Sequence, residues 1–470
     1  MKKLLYFGLI LCWTLSLKGL FAQTTSLEQK IHAALLNMDI PKSDSLLEVY
    51  LKTNDKPIYY EYWKSYSDFL VAYFNANDKN FSQFKNSSDK AILKLEEDGT
   101  ALSLAYASKL SVFRAFLFYL WDEKLMYVKA IIDGRSYLDE IEDNVPEKKK
   151  MLGLYEVLGY SVPENYRWIA GWFNIKGNAL TGLSDLKQFL ATPNLSKADR
   201  MEAQIFMMYC ENALGLNYKI KPNSNSVVML YAYLRTTEES AKTQLTYIND
   251  IDFEKVPYLE LIKGDMLLKL QNEKGLSYLN HFINRTSGKG FESYAQYQIY
   301  LYKCIHHDET DCESQAKMVM HQHDFLFPAD LKSMESVKGE HCNKLLMKSR
   351  LLFDAGEFED ALSLLKNPNA KNELLNLKDK TEYLYRLARN YEEIGQIDKA
   401  IDLYKTIINT KIDKWYFVPF SAYKLAFLLA EKNDLILAKQ YFEKAIELNH
   451  ATYQQSIALK VKFALDYFKL

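Results

Sequence analysis

The densest group of side chains that could do chemistry lies between residues 304 and 342. Five of the eight histidines stand there beside cysteines and aspartates, in the order Cys304, His306, His307, Asp308, Asp311, Cys312, His321, His323, His341, Cys342. Zinc sites are built from such imidazole and thiolate groups, with about four ligands in tetrahedral geometry. The Cys-x7-Cys spacing matches no common zinc finger or ribbon. The adjacent rings of His306 and His307 would also point apart on a helix.

Three interpretations of Cys304 and Cys312 are open: a disulfide, two buried free thiols, or metal ligands. The disulfide is favoured, because the two cysteines flank a predicted turn between helices and an exported chain meets an oxidising compartment. We therefore predict a Cys304–Cys312 disulfide and no bound metal.

Other catalytic motifs are missing or incomplete. Ser287-Gly-Lys-Gly290 resembles the end of a phosphate-binding loop, but Gly290 replaces the hydroxyl residue that would hold Mg²⁺, and the leading glycine is replaced by Ile283. The sequence contains no HExxH, GxSxG or GxGxxG. We expect no enzymatic activity and no cofactor.

An aromatic stripe is the other candidate site. Tyr59, Tyr62, Trp63 and Tyr66 recur at three- to four-residue spacing, which places them on one face of a helix. Such a stripe could bind a ligand or partner, and we name these four as candidate binding residues. The same spacing is also what ordinary packing between helices requires.

Composition favours helices joined by short loops. Gly (17) and Pro (10) are scarce in 470 residues, whereas 48% of the chain is apolar. Lysine and arginine (59) balance aspartate and glutamate (60), so the chain has no global field that would attract nucleic acid or an anionic membrane.

The first 22 residues have the pattern of a secretory signal. Lys2 and Lys3 precede an apolar stretch, and Ala22 offers a small residue before Gln23. We expect cleavage there and a periplasmic or outer-membrane-associated protein of a Gram-negative bacterium. The later apolar segment 101–121 carries Lys109 and Arg114, which are costly in hydrocarbon. We therefore expect a buried helix there, and no transmembrane segment after signal removal.

Helix pairs repeat towards the C-terminus. Residues 381–409 form two amphipathic segments separated by Gly395, and similar pairs stand on both sides. The small residues Ala361, Ala400 and Ala438 recur after 39 and 38 residues, whereas the tetratricopeptide consensus repeats after about 34. Segment 381–409 resembles that consensus at its small, aromatic and turn positions.

A narrower resemblance is carried by two stretches. The first comprises Gly153-Leu-Tyr-Glu, Ser161-Val-Pro-Glu-Asn-Tyr-Arg-Trp168, Ile175-Lys-Gly177 and Gly182-Leu, with Leu186 beyond. The second comprises Tyr416-Phe-Val-Pro-Phe-Ser-Ala-Tyr-Lys-Leu425 and Ser456-Ile-Ala-Leu-Lys-Val. Together they resemble the tetratricopeptide repeat 39 family, which includes the inclusion body clearance protein. The resemblance implies a helical superhelix and no catalytic residues.

The predicted fold is all-α, a right-handed α-α superhelix of antiparallel helix pairs. We divide the chain into a signal (1–22), degenerate repeats (23–340) and recognisable repeats (341–470). Such arrays present a concave face that grips peptides or helices, so we expect a scaffold or chaperone-like module for protein partners. The alternative is a carrier of a lipid or other apolar ligand in a cavity of the N-terminal helices.

Overall fold

The computed structural model describes residues 27–54, 58–161, 177–216, 221, 226–249, 251–286, 290–321, 327–338, 343–410, 415–448 and 454–470. The predicted signal, residues 1–22, lies outside these ranges. Within them the chain forms helices and turns and no strand. The predicted all-α class, built from helical repeats, is confirmed.

The helices before residue 250 are α1 (27–36), α2 (Ile40–Thr53), α3 (Ile58–Phe74), α4 (Asp78–Asp98), α5 (Ala101–Leu120), α6 (Lys124–Ser136), α7 (Pro146–Tyr160), α8 (Ala179–Leu190), α9 (Lys197–Leu214), α10 (Val227–Thr236) and α11 (Ala241–Thr246). Those after it are α12 (Pro257–Lys269), α13 (Lys274–Thr286), α14 (Glu292–His306), α15 (Glu309–Val319), α16 (Pro328–Val337), α17 (Lys344–Asp354), α18 (Phe358–Leu365), α19 (Leu377–Glu393), α20 (Ile397–Ile408), α21 (Phe417–Glu431), α22 (Leu435–Glu447) and α23 (Gln454–Phe468). Two 3₁₀ turns, Tyr137–Glu140 and Ala370–Glu373, follow α6 and α18.

One turn geometry joins the two helices of many pairs. A residue in the left-handed region ends the first helix at Met38, Asp122, Gln271, Gly356, Gly395 and Asn433. In the pair α19–α20, Gly395 donates its N–H to the Glu392 carbonyl (3.1 Å) and Gln396 donates to Tyr391 (2.8 Å). The other five turns show the same two bonds, which satisfy carbonyls at the helix end.

Small residues stand where paired helices approach most closely. Ala361, Ala388, Ala400 and Ala438 are all completely buried. The pair α12–α13 uses glycines instead, because a Cβ added to Gly275 would come within 2.6 Å of the Gly264 carbonyl oxygen.

Contacts divide the chain into two compact units. The first holds the described residues up to Tyr155, with Gly182–Met208 and the described part of 220–233. The second holds the remaining described residues, chiefly those from Leu234 to the C-terminus. The sequence boundary at residue 341 separates degenerate from recognisable repeats, and contacts do not test that distinction.

Helix α5 is an interior helix of the first unit. Within the described residues it is the one helix long and apolar enough to cross a membrane, and 67% of its most apolar window is buried. Lys109, in its middle, is 2% exposed and pairs with a carboxylate of the same unit.

Candidate functional site

A groove in the second unit is lined by side chains of several helices, including α14, α16, α17 and α19. In α19, Ala388 faces the buried cluster shared with α20 and α21, while Lys378, Glu382 and Arg386 recur every fourth residue on the groove side. Helix α17 contributes Arg350 and Asp354 with the same spacing. Residues four apart share a helix face, so this spacing places the charged side chains of each helix in a row along the groove.

The main cavity of this groove has a volume of about 600 Å³. It is lined by α14, α16, α17 and α19 and by the residues that begin α21. Aromatic surface comes from Tyr294, Tyr297, Trp415 and Tyr416. The described lining residues include no histidine or cysteine. The lining suits recognition of a polar chain with aromatic or aliphatic side chains.

Arg386 connects two of the segments that form the wall of the groove. It is 3% exposed, and its guanidinium donates to the Glu382 carboxylate at 2.7 Å and to the Tyr416 hydroxyl at 2.8 Å. These bonds tie α19 to the residue that precedes α21. A second cavity, of about 430 Å³, shares Arg350, Asp354, Arg386 and Tyr416 with the first.

Tyr294 lines the main cavity of the groove, and Tyr385 lines the second cavity. Burial raises the pKa of Tyr385 to about 12. Burial and the neighbouring Asp265 carboxylate raise the pKa of Tyr294 to about 12, and its hydroxyl donates to Asp265 at 3.0 Å. Both therefore stay protonated at neutral pH and act as hydrogen-bonding groups rather than as bases.

The first unit contains a buried ionic network centred on Glu202, which is 1% exposed. Both carboxylate oxygens lie 2.9 Å from the Lys109 ammonium, and one lies 2.8 Å from Lys150. Tyr66 donates its hydroxyl at 3.0 Å, and His32 Nε2 lies 3.4 Å away. The partners come from α1, α3, α5 and α7, so one carboxylate on α9 connects five helices.

The neighbouring charges and the burial of this network shift the pKa values of Glu202 and Lys109. Burial alone would raise the pKa of Glu202, but Lys109, Lys150 and His32 lower it well below its usual range. Burial lowers the pKa of Lys109 to about 8, against the opposing effect of Glu202. Donor atoms of His32, Asp199 and Glu202 lie within 4.8 Å of one another, as in a metal site. However, two ammonium groups already occupy Glu202, and a cation would be repelled there.

The four predicted aromatic residues lie in the first unit. Tyr62, Trp63 and Tyr66 are at most 3% exposed, and Tyr59 is half-buried. The Tyr62 ring stacks on Tyr106 at 3.9 Å, and Trp63 stacks on Tyr66 at 6.1 Å. Their placement agrees with packing between helices, whereas a role in binding remains a prediction.

The cysteine and histidine cluster is distributed among separate contacts. His306 Nε2 bonds the Gln271 side chain at 2.8 Å, and His307 Nδ1 bonds Asp311 at 2.9 Å. Asp308 accepts the Asp311 N–H as the cap of α15. His323, His341 and Cys342 lie outside the described residues, as do Ser287 to Lys289 of the glycine-rich segment.

Cys304 and Cys312 are joined by a disulfide, with their Cα atoms 4.7 Å apart. It links the end of α14 to the first turn of α15. Cys210 is a buried free thiol, and burial raises the pKa of Cys210 to about 12. Its thiol is therefore a poor nucleophile at neutral pH.

We expect peptide mapping of the protein isolated from its native cells to recover Cys304 and Cys312 in one crosslinked fragment. The bond requires an oxidising compartment, and the predicted cleavage after Ala22 means that the same digest should begin at Gln23. Cys210 is the internal control, since its thiol should react with alkylating reagents only after unfolding. Free labelling of Cys304 and Cys312 in the folded protein, or a chain that retains Met1, would contradict the prediction.

Sequence analysis missed the network around Glu202. One signal was present, because Lys109 interrupts an otherwise apolar segment and a buried lysine requires a counter-charge. The identity of that counter-charge could not be read from spacing, since Glu202 lies 93 residues away.

A match to a family model supports the repeat assignment. Residues 381–411 and 421–451 match the tetratricopeptide repeat model. No curated protein matches the chain in sequence. Similar solved structures include the TPR domain of P58(IPK), with 14% identity, TM-score 0.23 and coverage of 81% of this chain and 94% of that one. Yeast Tom70 has 14% identity and TM-score 0.24, with coverage of 92% and 85%. A MamA RS-1 ArsTM double mutant has 16% identity and TM-score 0.21, with coverage of 41% and 93%.

The two matched segments span α19–α20 and α21–α22, whose alanines Ala388, Ala400 and Ala438 are completely buried in one cluster. Their turns at Gly395 and Asn433 have the left-handed geometry that recurs earlier in the chain. The C-terminal helix pairs of this protein are tetratricopeptide repeats.

Proposed function

We propose that this protein is an exported, non-catalytic scaffold that holds a segment of a partner protein in the groove of its second unit. Tetratricopeptide repeats in general support a role in protein interaction. The observation that carries the finer proposal is the groove itself. Arg350 of α17, Glu382 and Arg386 of α19, and Tyr416, which precedes α21, all line one cavity of about 600 Å³.

The chemistry of the groove fits a peptide better than a small apolar ligand. Charged side chains alternate along its wall, and backbone amides and carbonyls of a peptide could pair with them. A first-unit cavity among α4, α5 and α6 is smaller, about 300 Å³, and its lining mixes charged side chains such as Asp89 and Arg114 with apolar ones such as Ile92 and Phe118. A small cavity with charged walls does not favour a lipid carrier.

Export is proposed from the leader pattern of residues 1–22. The resemblance to the tetratricopeptide repeat 39 family is a further part of the proposal. Its glycines have a physical reason within the described residues: a Cβ on Gly153 would come within 2.7 Å of the Gly182 carbonyl oxygen. Residues 162–176 of the same stretch lie outside the described ranges.

A blocked groove tests the proposal. Ser336 lines the main cavity, is exposed and lies on α16, so Ser336→Trp should fill the groove without disturbing the core. Peptides selected from a displayed random library on the wild-type protein should bind Ser336→Trp about tenfold more weakly, because a bulky ring excludes the bound segment.

Thr406→Trp is the matched control, since Thr406 is an exposed residue of α20 in the same unit and does not line the cavity. We expect the selected peptides to bind it as they bind the wild-type protein. Equal affinity for all three proteins would place the binding site elsewhere and overturn the proposal.

A further inference from the structure

The imidazole of α1 occupies a position that suits its doubly protonated form. His32 is 2% exposed. Its Nδ1 lies 3.3 Å from a carboxylate oxygen of Asp199, and its Nε2 lies 3.4 Å from one of Glu202. A neutral imidazole carries one N–H and one lone pair, so one of these carboxylates would then face a lone pair. The imidazolium form offers an N–H to both carboxylates.

The charged groups around this imidazole belong to three other helices of the first unit. Asp199 and Glu202 lie on α9, Lys109 on α5 and Lys150 on α7. Burial lowers the pKa of His32 and so does Lys109, but the two carboxylates outweigh both and raise this pKa above the ordinary 6.5. The second proton of the ring is therefore held by contacts that exist only while α1 is docked on these helices.

The same imidazole packs on the aromatic stripe of α3. Its ring centre lies 5.2 Å from that of Trp63 and 5.6 Å from that of Tyr66. The apolar side chains of Ile31 and Leu35, on either side of this turn of α1, are completely buried. Burial of apolar surface does not depend on pH, so these contacts hold α1 in place while the imidazole makes its docking sensitive to protons.

A second titratable group of α1 acts in the same direction. Glu28 lies one turn before His32, and the Tyr50 hydroxyl donates to its carboxylate at 3.3 Å. Burial raises the pKa of Glu28 to about 7, the bond from Tyr50 opposes this change, and the nearby Asp199 carboxylate adds to it. Both groups of α1 therefore bind their protons more tightly when the helix is docked than when it is open.

We propose that α1 is a proton-dependent latch over the aromatic stripe of α3, docked while the His32 imidazole carries two protons and open more often once one is lost to water. The stabilising contribution of His32 is complete below its ordinary pKa of 6.5 and is lost as pH rises through the raised value of the docked helix. That of Glu28 is complete below 4.5 and is lost as pH rises towards 7. Docking of α1 therefore weakens as pH rises from mildly acidic to alkaline.

Opening of the latch changes which side chains the first unit presents. Trp63 and Tyr66 are at most 3% exposed while α1 is docked, and they belong to the stripe for which the sequence predicts a role in binding. Without His32 against them, both rings lose one of their covering side chains. The latch thus restricts access to the stripe in acid and relaxes that restriction above neutral pH. All its residues lie in the first unit, so it is separate from the proposed groove.

Hydrogen exchange of the purified protein, followed by mass spectrometry between about pH 6 and about pH 8, tests the latch. Labelling times are scaled to the intrinsic pH dependence of amide exchange, so that the remaining differences report opening. We expect the amides of α1 to lose protection as pH rises, by up to about tenfold for each pH unit and each titrating group. The amides of α3, α5 and α9 should keep theirs, because the opening is local.

Two substitutions on α1 should act in opposite directions. His32→Gln has no proton to lose, so α1 should be less protected than in the wild-type protein at about pH 6, and its protection should vary less with pH. Glu28→Gln keeps an acceptor for the Tyr50 hydroxyl and removes a carboxylate that burial disfavours. Its α1 should therefore be several-fold more protected than the wild-type helix at about pH 8, a gain that a damaged fold cannot produce.

His306→Gln is the matched control, since it makes the same change at an exposed histidine of the second unit. It should leave the pH dependence of α1 unchanged. Protection of α1 that is constant with pH, or that varies equally in the wild-type protein and His32→Gln, would overturn the latch. A loss shared equally by α3, α5 and α9 would also overturn it, because the whole unit would then be unfolding.

A direct titration keeps the test decisive if His32→Gln does not fold. In the wild-type protein labelled with ¹³C-histidine, the ring signal of His32 should titrate with a midpoint above 6.5, and a midpoint below 6.5 would overturn the proposal. None of these results bears on the groove of the second unit, whose own test is the binding of selected peptides to Ser336→Trp. The two proposals can therefore fail separately.

Discussion

Glu202→Gln is expected to destabilise the first unit by about 3–5 kcal/mol, because it removes the charge that two buried lysines share. Lys109 and Lys150 are 2% and 3% exposed. Without the carboxylate, each ammonium group would face its desolvation cost with a neutral amide as its nearest partner. Urea denaturation followed by tryptophan fluorescence should report the loss, since Trp63 lies in the same unit.

Glu97→Gln is the control, since Glu97 is an exposed residue of α4 and the change of chemistry is the same. It should alter the free energy of unfolding by less than about 0.5 kcal/mol. A loss of similar size in both variants would contradict a special role of the network.

The difference in free energy of unfolding between the wild-type protein and Glu202→Gln should depend on pH, because Glu202 ionises. Its pKa in the folded protein lies well below the ordinary 4.5, so its contribution to stability is present above pH 4.5 and is lost as pH falls through the folded value. Glu202→Gln should therefore cost most near neutral pH, and the difference from the wild-type protein should shrink as the pH falls below 4.5 towards the folded value.

A triple replacement distinguishes charge pairing from packing. If Glu202, Lys109 and Lys150 are all changed to methionine, no buried charge is left without a partner. Stability should then be largely restored relative to Glu202→Gln, as is found when buried ion groups are replaced together by apolar residues. If the triple variant were as unstable as Glu202→Gln, the loss of stability would come from altered packing and not from the unpaired charges.

The helix pairs near the C-terminus were predictable because their signals are local. Ala388, Gly395 and Ala400 lie within 13 residues, and each position is fixed by contacts inside one pair. Two earlier turns adopt the same left-handed geometry with Met38 and Gln271, residue types that do not mark a turn in sequence. Packing on both sides imposes the conformation there, so residue preference does not reveal it.

The groove was predictable only as a general feature of the fold. Every fourth residue of α19 could be assigned to the face opposite Ala388, but the meeting of Arg389 with Phe353 and Lys460 joins segments far apart in sequence. The aromatic stripe of α3 shows a different limit of sequence-based prediction, because its residue positions were predicted but their role was not. Its spacing fits a binding face and a packed face equally well, and only the rings around Tyr62 show which neighbours it has.

Ala400→Leu should cost about 1–3 kcal/mol through overpacking of the pair α19–α20. Ala400 is completely buried in the cluster that also contains Ala388 and Tyr404, so three additional carbon atoms have no space without separating the helices. Repeat pairs contact mainly their neighbours, and the contacts of α20 are with α19 and α21.

Hydrogen exchange should therefore locate the loss of protection in α19 to α22, with the helices of the first unit unchanged. Ala458→Leu serves as the matched control, since Ala458 is exposed on α23 and the added atoms would extend into solvent. It should leave both stability and protection close to those of the wild-type protein. In a nearest-neighbour array, the disruption of one interface affects the adjacent pairs first. Loss of protection spread evenly over the whole chain after Ala400→Leu would therefore show that the helix pairs do not behave as such an array.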